Sequence, residues 1–167
     1  MTGPVALNPI NTMHTIEKSI EVNAPVETVY NQWTQFEEFP RFMKGLEQVQ
    51  QLDDKRLHFV ATIAGKREEW DAEIIEQVPD EKISWRSITG ASNEGTVFFD
   101  KLPDGRTSIR AAISIEPDSF MEKFGSAIGI PDSRVKGDLE RFKDLIEKRG
   151  VESGAWRGEI HGGRVSE

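Results

Sequence analysis

Glu68 shares the alternating register of Trp70, Ala72 and Ile74, which sets a carboxyl on the same face as an indole. Burial beside apolar rings disfavours the charged form of a carboxyl, and such a group can exchange a proton near neutral pH. The bland alternative is a solvated Glu68 near the hairpin tip after Lys66-Arg67. Arg86 follows Trp85 and by alternation points outward, towards an acid such as Asp71 or Glu73 on a neighbouring strand. Tyr30, the single tyrosine, sits on a helical stripe with its hydroxyl either at a cavity mouth or in water. These three are the weak candidates for catalysis.

Other chemistries find no support. His14, His58 and His161 are far apart and match no metal-ligand spacing, so no metal is expected. The chain has no cysteine, which excludes thiolate ligands, thiol nucleophiles and disulfides. No nucleophile elbow or phosphate loop occurs. Gly125, Gly129 and Gly137 follow no strand, so they form no dinucleotide fingerprint, and no cofactor is expected.

The elements that would position such groups are legible in the pattern. With 167 residues and an apolar class of 37%, the chain suits one globular domain. A formal charge of −8 argues against nucleic acid as a partner. Met1 to Thr12 lacks a basic and then apolar leader, and no stretch reaches the roughly 20 apolar residues of a membrane helix. A soluble, cytoplasmic protein is expected, monomer or homodimer.

Residues 1–12 read as a loose leader, 13–150 as the folded domain and 151–167 as a polar, Gly-rich tail anchored at most by Trp156. His14 to Val22 alternates as a half-buried strand. Pro25 suits a helix start, and Val26, Val29, Tyr30 and Trp33 form one stripe. Phe36 to Met43 adds a shorter helical piece interrupted at Pro40. Six period-two strands then follow through short turns, from Leu46 to Ile115, as an antiparallel meander. Ser119 to Ile130 reads as a short Gly-punctuated helix. Asp132 opens a long one, with Val135, Leu139, Phe142, Leu145 and Ile146 as its buried stripe and Gly150 as its cap.

In order and in sequence the chain resembles the bacterial polyketide cyclase/dehydrase and coenzyme Q-binding family of the START/birch-pollen-allergen-like (SRPBCC) superfamily. The carriers are "IEKSIEVNAPVETVYNQWTQFEEFPRFMKGLEQVQQLD", "EWDAEIIEQVPDEKISWRS" and "VKGDLERFKDLIEKRG". The resemblance implies an α+β helix-grip fold: a curved antiparallel sheet, two short helices after the first strand, and a long C-terminal helix over an apolar cavity. Its implied partner is a lipophilic small molecule, namely a quinone, isoprenoid, lipid or polyketide.

Inward-facing positions then become the expected ligand contacts: Phe59, Ile63, Trp70, Ile74, Trp85, Val97, Phe99, Ile113, Phe142 and Ile146. The small residues Ala61, Ala72, Gly95, Ala111 and Gly137 leave room for close packing or for a ligand. Phe120, Phe124, Gly125 and Ile128 would sit over the entrance as a gate. Cyclases of this family steer proton transfers with Arg and Tyr, so an enzyme of the cyclase/dehydratase type, a lyase or isomerase, is the alternative to a carrier. A collapsed cavity would instead leave a protein-interaction module.

Overall fold

The computed structural model describes residues 14–63, 65–90, 93–115 and 130–166. Seven strands run β1 (His14–Val22), β2 (Leu46–Gln51), β3 (Arg56–Ile63), β4 (Lys66–Val78), β5 (Lys82–Ser87), β6 (Asn93–Lys101) and β7 (Thr107–Ile115). They pair antiparallel in the order β1-β7-β6-β5-β4-β3-β2, so the meander closes back on β1 through β7. Helix α1 (Val26–Trp33) and a 3-10 turn (Phe36–Arg41) link β1 to β2. The long helix α2 (Ile130–Arg149) lies across the inner face, starting two residues before the expected Asp132. This is the helix-grip arrangement.

Alternation decides which side chains enter. On β7, Thr107, Ile109, Ala111 and Ile115 are buried, and the charged Arg110 on the opposite face stacks its guanidinium 4.1 Å from the centroid of Phe98. From α2, Leu139, Phe142 and Ile146 enter the core. The helix is tied to β1 by Lys143 Nζ, which donates to the Glu21 carbonyl at 2.9 Å, and by Glu147 Oε2, which accepts from the Asn23 amide at 2.7 Å.

The tail is part of the fold. Glu159–His161 (β8) and Arg164–Ser166 (β9) form a hairpin, and β8 pairs with β4 at Glu76 and Gln77, beyond the end of β3. A bulge between Ile74 and Glu76 shifts the β4–β5 register there, and the freed Ile75 carbonyl accepts from the Gly163 amide at 2.9 Å. Ile160 is fully buried in the main core.

The tail also covers the polar face of α1. Asn31 contacts Glu152 and Arg157, Gln32 Oε1 accepts from Arg149 and the Ser153 amide, and Thr34 Oγ1 accepts from the Trp156 amide. A helix with an ordinary amphipathic stripe is therefore buried on both sides, its polar groups satisfied by the chain end.

Candidate functional site

Between α2 and the sheet lies a cavity of about 290 Å³. Its walls come from all seven strands of the main sheet, β2 giving only Leu46, with Trp33, Phe36 and Phe39 closing one end. Phe59 and Trp70 are cross-strand partners and stack at 5.3 Å with their planes 8° apart, which makes one flat wall. Trp85 stands nearby, its Nε1 donating to Asn93 Oδ1 at 3.1 Å. Ala61, Ala72 and Ala111 supply floor with little side-chain volume. The interior is thus open rather than collapsed.

Of the residues expected to meet a ligand, Phe59, Trp70, Ile74, Trp85, Val97 and Ile113 stand on the wall. Phe99, Phe142 and Ile146 do not. They face inward but at the filled end, where Phe99 meets Tyr30 and Trp33 edge-on and Phe142 packs on Trp33 and Phe42. Alternation gives the face of a strand but not the depth along it. The gate residues Phe120, Phe124, Gly125 and Ile128 lie outside the described residues, as does the side chain of Ile63.

The catalytic candidates are dispersed. Glu68 shares the face of Trp70 but is not on the cavity wall, and its carboxylate lies 3.9 Å from Lys66 Nζ. Arg86 points outward, 3.6 Å from Glu73. Tyr30 is fully buried, and its hydroxyl neither reaches the cavity nor meets water: it accepts from Gln77 Nε2 at 3.0 Å. Burial pushes the phenol up to about 12, against the lowering pull of the Gln77 hydrogen bond and of Arg157. Nor do the glycines give ligand space. Gly95 lies under Trp85, and Gly137 lies beside the Arg141 guanidinium.

The polar groups on the wall are others. Lys44, Asn93, Arg134 and Asp138 line the cavity. Asp138 Oδ1 accepts from Arg141 Nη2 and from the Lys44 amide at 3.1 Å. Burial nevertheless holds its carboxyl above the ordinary aspartate value, outweighing those hydrogen bonds. Arg134, Asp138 and Arg141 recur at helical spacing along the border of the apolar stripe of α2, a signal present in the sequence but masked there by the general abundance of charge. Among the described residues, no group of three or more His, Asp or Glu side chains is placed to hold a metal ion. Nor is any helix among them long and apolar enough to cross a membrane.

A curved sheet gripping a long helix over an apolar cavity defines a START-like protein. The chain belongs to the family described as polyketide cyclase / dehydrase and lipid transport, which it matches over residues 22–143. It is 48% identical over 149 residues to an uncharacterised 17.2 kDa protein of the melC2-rnhH intergenic region of Streptomyces lincolnensis, covering 89% of this chain and 99% of that one. The Zhui aromatase/cyclase of Streptomyces sp. R1128 superposes with a TM-score of 0.69 at 16% identity, covering 86% of this chain and 99% of that one. A START superfamily protein of Mycobacterium smegmatis gives a TM-score of 0.64 at 16% identity, over 81% and 96% of the two chains. At these identities the two structures establish the fold.

Proposed function

We propose that the protein binds a lipophilic small molecule, quinone-, isoprenoid-, lipid- or polyketide-like, in the cavity between α2 and the sheet. The observation that carries this is an open space of about 290 Å³ walled by aromatic and aliphatic side chains. That volume is at the small end of ligand sites, which suits a compact ring system or a short chain. Burial of apolar surface supplies about 25 cal/mol per Å² before the costs of association, with the stacked Phe59–Trp70 pair as a platform.

Three of the four tryptophans line the cavity, so occupancy is read directly from indole emission. Titration with a naphthoquinone and with decanoate gives a saturable change for at least one of them. Ala111→Phe, or the milder Ala61→Leu, fills the space and removes that response. No saturable change with a broad lipophile panel, or a response untouched by both substitutions, overturns this reading.

The alternative is an enzyme of the cyclase/dehydratase type acting on a substrate in the same cavity. Asp138 favours it: a wall carboxyl whose proton affinity is raised by burial can exchange a proton with a bound carbonyl. With a poly-β-ketone substrate, Asp138→Asn then abolishes turnover and leaves binding intact.

A further inference from the structure

We propose that the ligand is an amphiphile with an anionic head, a carboxylate or an enolate, and that Arg134 receives it at the cavity rim. This rests on the lipophile-binding reading and adds the charge of the head. Arg134 projects from α2 onto the cavity wall, and its Nη1 donates to the Lys44 carbonyl at 2.7 Å. A guanidinium carries five N–H donors. Among the described residues, no other group accepts from Arg134 and no carboxylate pairs with it.

The seat for this side chain is built into the backbone. Gly45 holds φ at +88°, and a β-carbon there would stand 2.6 Å from Arg134 Nη1. Glycine takes this left-handed conformation without strain and leaves the guanidinium where it lies. Asp138, one turn further along α2, attracts Arg134 electrostatically, but its Oδ1 is hydrogen-bonded to Arg141 and the Lys44 amide and not to the Arg134 guanidinium. Lys44 also lines the cavity and, among the described residues, has no ion pair.

Most of the other described arginines are ion-paired. Arg86, Arg110, Arg141 and Arg157 each lie within 4 Å of a carboxylate. In a chain of net charge −8, Arg134 and Lys44 both line the apolar space, and among the described residues neither has a carboxylate within 4 Å. A planar guanidinium with free donors matches a carboxylate in two parallel hydrogen bonds, and low local dielectric strengthens them. The apolar body then lies along Trp85 and the Phe59–Trp70 stack, towards Phe39.

The test compares decanoate with methyl decanoate and decanol, matched bodies with charged and neutral heads, by tryptophan emission and calorimetry at pH 8. The acid is expected to bind about 10- to 100-fold tighter, the range of one charge-assisted hydrogen-bonded pair. Arg134→Gln removes that preference and leaves the ester within about twofold. Lys44→Gln, on a different segment, halves the preference or more, and it serves where Arg134→Gln does not fold. Equal binding of acid and ester overturns the anionic head and leaves the lipophile reading standing. A preference that survives both substitutions, or an Arg134→Gln variant that loses acid and ester equally, overturns the role of Arg134. If none of the three probes binds, both readings fall.

Discussion

A β-carbon on Gly95 would stand 2.8 Å from the Trp85 indole, its partner across β5 and β6, and 2.8 Å from the Ala112 carbonyl. The glycine is the bed on which the indole lies, and the indole is a wall of the cavity. Gly95→Ala therefore pushes the ring off its place. Overpacking of this kind costs about 1–3 kcal/mol. Chemical denaturation should show the loss, together with a changed tryptophan emission spectrum and weaker binding of any lipophile.

Tyr30 gives an alkaline signature. The folded phenol ionises at about 12, against 10.0 for an ordinary tyrosine. Between those values the unfolded chain has lost the proton and the folded one has kept it, so stability falls as pH rises through that window. As this is the only tyrosine, phenolate absorbance reports it alone. Native protein should titrate well above the denatured chain. A midpoint near 10 in the folded state would contradict the sealed environment of the ring.

The same ring predicts a coupling. Gln77 is fully buried, and its Oε1 has no hydrogen-bond partner while its Nε2 donates to the Tyr30 hydroxyl. Tyr30→Phe strands the amide and should cost about 1–3 kcal/mol. Adding Gln77→Leu removes the stranded group and should recover most of that loss in a double-mutant cycle.

On the outer face, His58 bridges two carboxylates, with Nδ1 2.6 Å from Asp71 and Nε2 2.9 Å from Glu69. The hydrogen bond to Asp71, then that to Glu69, holds the imidazole above its ordinary value. A raised folded value means the contribution is complete below the unfolded value of about 6.5 and fades as pH rises through the folded one. His58→Gln should thus lower the melting temperature more at pH 5.5 than at pH 9. An equal loss at both would show that the bridge carries no charge.

Ile160 tests whether the tail is structural. It is fully buried in the main core and paired to Gln77. Ile160→Ala should cost about 2–5 kcal/mol in urea unfolding, as for other core isoleucines. A loss under half a kcal/mol, the surface range, would make the tail an appendage.

The sheet and both main helices were legible because period-two and helical stripes run long in this chain, as in Thr107–Ile115 and Val135–Ile146. The wall residues were legible only as a face. Phe59 and Phe99 alternate alike, yet the aromatic cluster around Trp33 fills the space before Phe99. Arg134 does not stand out in the sequence because charge is common on α2, and its place beside Gly45 and the Lys44 carbonyl appears only in three dimensions.

The hairpin of the tail was missed for a different reason. Its strands are three residues each, too short for a period, with Ile160 the single buried position. The available signal was the Gly162-Gly163 pair, whose φ values of +57° and +80° suit a two-residue reversal.

The docking of β8 on β4 also orders events in time. Ile160 meets Gln77 across more than 80 positions of chain, and Arg157 reaches back to Asn31. Contacts of such separation form late, after loop closure has been paid for by earlier ones. On the ribosome the edge of β4 past β3 stays uncovered, and the amides of Asn31 and Gln32 stay wet, until residue 160 has emerged. A nascent chain stalled before that point holds an exposed strand edge, the feature that invites pairing with a neighbouring copy. Truncation ahead of Ile160 should therefore leave that edge of β4 open.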